Sequence, residues 1–318
     1  MSETTSIEVP LRPFDARMLD VGDGHWLYVE EVGRRDGVPC IFLHGGPGSG
    51  AQHMHRRLFN PEQHYVILYD QRGAGRSHPY LSLAANTTDH LIADIEKIRQ
   101  HFAIDQWLVV GGSWGSTLAI AYAQQHPERV SGLVLRAVFL ASRAEIEWAF
   151  VTGPQIFWPE LYRAFADYID EAERGDVLGA YVRRLTHADP AIHRPAAQIW
   201  HAYERALSEL VPSKVEISAD YSQDNPMPPT PIVEAHYIAH DFFLRPNQLL
   251  DGAQRLRGIS GAIIQGRYDL LCPPKAAYDL SQRWGNCDLQ IVEGVGHAMT
   301  EAGVMDAMRQ AIMRLTKR

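Results

Sequence analysis

"VVGGSWGSTLAIAYAQ", Val109 to Gln124, is the stretch whose reading decides the fold. An apolar run breaks at two glycines, exposes a serine beside a tryptophan, and resumes with helical apolar spacing. Gly111, Ser113 and Gly115 form a Gly-x-Ser-x-Gly pattern. Its mechanical sense is a sharp strand-to-helix turn that lifts the serine Oγ above a sheet. Glycines flank the serine because side chains there would collide with neighbouring backbone. The helix that follows aims its first N–H groups at the same spot, which suits a developing oxyanion. A glycine-rich turn and a nucleophile both fit these residues, and their surroundings discriminate between the two.

Outward from this stretch, strands and helices alternate. "HWLYVEEVG" (25–33), "VPCIFLHGG" (38–46) and "HYVILYDQRG" (64–73) read as strands ending in glycine-rich turns. "HLIADIEKIRQHF" (90–102) has helical spacing, "QWLVVGGS" (106–113) is a strand, "STLAIAYAQQHP" (116–127) a helix and "VSGLVLRAVF" (130–139) a strand. That order implies right-handed crossovers and a parallel sheet buried on both faces. The pattern returns with a strand at 261–269, a helix around Pro274–Trp284, a strand at 288–294 and a last helix from about Glu301. Between about Ala141 and His240 the chain is helical and dense in aromatics, among them Trp148, Trp158, Trp200 and Tyr203. A proline-rich loop-like segment, 212–231, sits late in it. The expected organisation is therefore a core from 1–140 and 241–318, with a helical insertion at 141–240.

The partners of Ser113 follow in chain order. Asp269 comes directly after "AIIQGRY", and His297 lies in "VEGVGHAM" just past "LQIV". Both stand at C-terminal strand ends, where parallel sheets place their chemistry. There His297 would take the Ser113 proton, while Asp269 fixes the imidazole tautomer and stabilises its charged form. "HGGPG" (44–48) ends an early strand and offers a second oxyanion donor beside the Trp114 N–H. Pro47 has no N–H, which leaves Gly45 or Gly46.

Composition excludes other classes. A formal charge of −8 with scattered acidic residues lacks the basic face that nucleic acid needs. The N-terminal "MSETTSIEVPLRPF" has no cationic segment leading into an apolar run, and no stretch approaches a bilayer span. Three distant cysteines, Cys40, Cys272 and Cys287, suit thiols in a reducing cytoplasm. His236 and His240 in "HYIAH" have zinc-like spacing, but no glutamate follows the first and no third ligand is evident. No metal and no cofactor are expected.

"HGGPG", "DQRGAGRS" (70–77), "GGSWGSTLAIAYAQ" (111–124), "GRYD" (266–269) and "VEGVGHA" (292–298) together resemble the prolyl aminopeptidase (proline iminopeptidase) family of α/β-hydrolases. The resemblance runs from about residue 10 to the C-terminus. It implies an α/β-hydrolase fold, with a mostly parallel central sheet flanked by helices and an inserted helical cap. It matches Ser113, Asp269 and His297 to the triad and Gly46 with Trp114 to the oxyanion hole. It implies removal of N-terminal proline from short peptides, with acidic cap residues holding the free imino group. "WHAYERA" (200–206) resembles the motif with one such residue, Glu204, and "PIVEAHYIAH" (231–240) the segment with another, Glu234. Arg136 also matches a family position near the site, and Tyr203 stands where the family often has a second tryptophan. Tyr203 is expected among the substrate-binding residues. That departure and the 212–231 loop leave a second reading, a cap diverged toward esters, lactones or other aminoacyl amides.

Overall fold

The strands assemble into one eight-stranded sheet in the order β1-β2-β4-β3-β5-β6-β7-β8. They are β1 (Asp15–Gly22), β2 (His25–Gly33), β3 (Val38–Leu43), β4 (His64–Tyr69), β5 (Trp107–Ser113), β6 (Val130–Val138), β7 (Gly261–Gly266) and β8 (Cys287–Val292). β1–β2 and β2–β4 pair antiparallel, and every later pairing is parallel. The computed structural model describes residues 11–212, 217 and 227–317, so most of the proline-rich segment lies outside the described residues.

Alternation along the strands builds two cores, because successive side chains point to opposite faces. Ile41, Ile67, Val109, Leu133 and Ile263 face one layer. Phe42, Leu68, Val110, Val134 and Ile264 face the other, against Met308 and Ile312. The central strands β4 and β7 are buried at every position, which is why they read as continuous apolar runs. The edge strands alternate: β1 runs half-exposed to exposed along "DARMLDVG" and buries only Val21. That weak pattern gave no sequence expectation for β1.

Helices flank the sheet: α1 (His53–Arg56), α2 (Thr88–His101), α3 (Trp114–Gln125), α4 (Arg143–Glu147), α5 (Gly153–Phe157), α6 (Pro159–Asp167), α7 (Val177–Leu185), α8 (Pro190–Ser208), α9 (Thr230–Ala239), α10 (Gln248–Asp251), α11 (Pro274–Trp284) and α12 (Val304–Leu315). Among the described residues no strand interrupts the run from α4 to α10. This layer has its own aromatic core. Phe165 is stacked between Tyr181 at 4.0 Å and Tyr203 at 3.9 Å, and Trp200 stacks on Phe150 at 4.3 Å. Rings this thoroughly buried each contribute about 2–3 kcal/mol by area alone.

Candidate active site

β5 ends at Ser113 and α3 begins at Trp114, with no loop between them. Ser113 carries φ 56° and ψ −129°, a conformation that costs an L-residue on the order of 1–3 kcal/mol. The neighbouring glycines make it possible. A Cβ on Gly111 would lie 2.2 Å from the Gly115 carbonyl oxygen, and one on Gly115 would lie 2.1 Å from that of Leu43. The strand, the helix and β3 therefore touch through bare backbone. Ser116 Oγ donates to the Ser113 carbonyl at 2.7 Å and accepts from Phe139 N–H at 3.1 Å, fixing the first turn of α3.

Asp269 and His297 meet past the ends of β7 and β8. His297 Nδ1 lies 2.9 Å and 3.0 Å from the two Asp269 carboxylate oxygens. Asp269 is 3 % exposed and accepts two further hydrogen bonds, from Cys272 N–H at 2.8 Å and Gln265 Nε2 at 3.3 Å. The fully buried Gln265 also accepts from Val138 N–H at 3.1 Å, so it ties β6 to the acid. Sequence reasoning missed it, since a lone glutamine in "AIIQG" gives no signal beyond a break in apolarity. Cys272 locates the serine relative to this pair. Its thiol lies against Ser113, and its Sγ is within 4.8 Å of donor atoms of Asp269 and His297. Burial and the Asp269 charge push that thiol well above its ordinary range, so it stays protonated and is a poor metal ligand.

The "HGGPG" turn is braced from "DQRG". Gln71 N–H donates to His44 Nε2 at 2.9 Å, Gln71 Nε2 donates to the His44 carbonyl at 2.9 Å, and Trp114 Nε1 donates to Gln71 Oε1 at 2.9 Å. Because His44 Nε2 accepts, the ring proton sits on Nδ1 and donates to the Gly45 carbonyl at 2.9 Å. Burial lowers the His44 pKa and keeps the ring neutral. In a planar trans peptide the C=O and the following N–H point in opposite directions. Clamping the Gly45 carbonyl therefore aims the Gly46 N–H away from His44. Gly45 itself packs on Ser113: a Cβ there would meet the Ser113 Cβ at 3.4 Å.

Glu204 on α8 and Glu234 on α9 face each other closely enough for charge repulsion. Trp200, one turn before Glu204, donates from Nε1 to Glu234 Oε2 at 2.7 Å. Glu234 is 6 % exposed, and burial drives its carboxyl well above the usual range, reinforced by Glu204 and opposed by the Trp200 bond. Glu204 keeps some accessible surface along its side chain, yet protein around its carboxyl pushes its pKa up to about 7. Two such carboxyls in an aromatic setting are a site for a cation.

The remaining expected residues have clear places. Arg136 lies under the elbow, where a Cβ on Gly112 would be 2.8 Å from its Nε, and it donates to the His297 carbonyl. Burial lowers its pKa, and the Asp269 charge opposes that. This makes it a support for the main chain of the histidine. Tyr203 differs from its expectation as a substrate-binding residue. Its side chain is fully buried, its ring is stacked on Phe165, and its hydroxyl donates to the Phe150 carbonyl at 3.0 Å. Packing uses both its face and its polar tip. His236 Nε2 bonds the Asn86 carbonyl at 3.0 Å and His240 Nδ1 the His236 carbonyl at 2.8 Å.

Comparison with known proteins fits this geometry. Residues 38–301 match the family described as alpha/beta hydrolase fold. A proline iminopeptidase of Xylella fastidiosa is 44% identical over 299 residues, covering 93% of this chain and 95% of the relative. The chain belongs to the proline iminopeptidase family. A second member, from Arabidopsis thaliana, is 41% identical over 94% of this chain and 79% of its own length. Among solved structures, the proline iminopeptidase of Mycobacterium smegmatis superposes with a TM-score of 0.62 at 18% identity, over 95% of this chain and 99% of that one. That likeness is one of fold. No helix among the described residues is long and apolar enough to cross a membrane.

Proposed function

We propose that this chain is a serine aminopeptidase that releases N-terminal proline from short peptides. Ser113 Oγ attacks the prolyl carbonyl as His297 takes its proton, and Asp269 holds the imidazole and stabilises its charged form. The N–H groups of Trp114 and Gly46 receive the oxyanion. His297 then returns the proton to the departing amine, and water activated by the same ring hydrolyses the prolyl-enzyme. The helices of 141–240 act as the cap that selects substrate. Glu204 and Glu234 receive the protonated imino nitrogen, and the aromatic lining of the cap receives the pyrrolidine ring.

The observation that carries this reading is the Glu204–Glu234 pair. An ester or lactone offers no charge to two buried carboxyls, whereas a prolinium nitrogen supplies one. Gripping the far end of so small a substrate also sets its carbonyl over the serine. The test is kcat/KM for a chromogenic prolyl amide beside its N-acetylated form, an alanyl amide and a simple acyl ester. A strong preference for the free prolyl amide is expected. Fast ester turnover with little prolyl amide cleavage would overturn the proposal and point to a diverged cap.

A further inference from the structure

The helix bearing Glu204 ends on the loop bearing His297. The Ser208 carbonyl, in the last turn of α8, accepts from His297 N–H at 3.1 Å and from Ala298 N–H at 2.8 Å. Two residues on, Leu210 N–H donates to Glu301 Oε1 at 2.6 Å, while the other oxygen of that carboxylate accepts from Gly296 N–H. One carboxylate therefore joins the cap chain to the residue just before His297. The approach is close: a Cβ on Gly296 would lie 3.1 Å from the Leu210 nitrogen. Hydrogen bonds from backbone N–H to an ionised acceptor are among the stronger kinds, and a bidentate bridge fixes direction as well as distance.

The spacing along α8 gives the bridge a purpose. Glu204 precedes Ser208 by four residues, about 6 Å along a helix axis. The main chain of His297 is held at its N–H by Ser208 and at its carbonyl by Arg136, and its ring is held by Asp269. Of these restraints, the one from α8 comes from the element that also reads the substrate nitrogen. A carboxylate clamped across Leu210 and Gly296 keeps the end of α8 in register with the histidine.

We propose that Glu301 is a positioning residue that couples amine recognition at Glu204 to the placement of His297. The proposal rests on the amine-reading role of Glu204 given above. Once a prolyl nitrogen sits on α8, the Glu301 bridge sets where the imidazole stands relative to the prolyl carbonyl. A misplacement of about 1 Å can cost on the order of 100-fold in rate. Removing the bridge acts on kcat, because the carboxyls that bind the amine remain.

The test is a cycle of wild type, Glu204→Gln, Glu301→Gln and the double variant on a prolyl arylamide. Active sites are counted by titration with a fluorophosphonate, so unfolded enzyme is discounted. Glutamine keeps the size of Glu301, but its amide nitrogen meets one of the two N–H donors and breaks the bridge. The expected result is a fall in kcat per titrated site of about tenfold or more in Glu301→Gln, with KM within about threefold. In the Glu204→Gln background the same change should cost less than about threefold, the mark of coupled residues. Glu301→Asp, too short to span both donors, should fall between wild type and Glu301→Gln. An equal loss from Glu301→Gln in both backgrounds, or an unchanged kcat, would overturn the coupling. Wild type indifferent to N-acetylation of the substrate would instead sink the amine-reading role itself, and the coupling with it.

Discussion

Trp200 Nε1 donates to Glu234 Oε2 at 2.7 Å, so the indole of α8 holds the carboxyl of α9. This bond stabilises the ionised form of a group that burial works to protonate. Trp200→Phe keeps an aromatic ring against Phe150 and removes the donor. A hydrogen bond to a charged group contributes about 1.5–3 kcal/mol, so KM for a prolyl arylamide should rise by roughly 10- to 100-fold. Steady-state kinetics check it, and an unchanged KM would show that Glu234 does not meet the substrate nitrogen as a carboxylate.

Gln265 makes a similar prediction on the other side of the site. Its amide bridges Val138 N–H, the Cys272 carbonyl and Asp269. Gln265→Leu leaves buried polar groups unpaired, at about 1–3 kcal/mol, and frees the acid that orients His297. We expect kcat to drop by about tenfold or more with KM nearly constant, and a lower Tm by thermal unfolding. A variant with wild-type kcat would show that Cys272 N–H and His297 hold Asp269 unaided.

The elbow predicts a failure of folding rather than of chemistry. The Leu43 carbonyl oxygen would stand 2.1 Å from a Cβ at position 115, and both atoms belong to backbone that the sheet and α3 fix in place. Gly115→Ala should therefore yield little soluble protein, whereas Ser113→Ala should fold normally and lose turnover. Circular dichroism and solubility of the two variants separate these cases. A well-folded Gly115→Ala would mean that α3 can slide off β3.

How much of this was legible in the sequence follows from how locally each feature is encoded. The elbow is a five-residue motif, and Asp269 and His297 sit one turn beyond apolar strands, so pattern and order alone exposed them. The braces lie elsewhere in the chain. Gln71 is 43 residues from the Trp114 it holds, and Glu301 is 91 from Leu210. Nothing in "DQRG" says which residue the glutamine will reach, and "TEAGV" reads as the start of the last helix, which the structure begins at Val304. Tyr203 shows the opposite error. The family resemblance placed it among the substrate-binding residues, but the packed structure turns its ring inward onto Phe165. β1 went unseen because an edge strand needs only one apolar face, and "DARMLDVG" gives it a thin one.

The acidic pair ties stability and recognition to pH with opposite signs. Burial raises the Glu204 pKa from 4.5 to about 7, so the folded chain holds a proton that the unfolded chain releases at lower pH. Stability is therefore fully present below about pH 4.5 for this group and declines as pH rises toward 7. Glu204→Gln removes that decline. Above pH 7 the variant should be more stable by on the order of 1–3 kcal/mol, a rise of a few degrees in Tm. Binding runs the other way, because a cationic nitrogen gains from an ionised Glu204. As pH falls through about 7, KM of the wild type for a prolyl amide should rise, while that for a neutral acyl ester stays level. Calorimetry at pH 8 and KM profiles from pH 5 to 9 measure the two effects. A Glu204→Gln variant that is less stable at pH 8, or a KM for prolyl amide flat across that range, would mean that Glu204 is already ionised and paired in the free protein. The carboxyls would then be structural, and an amine would gain nothing by docking between them.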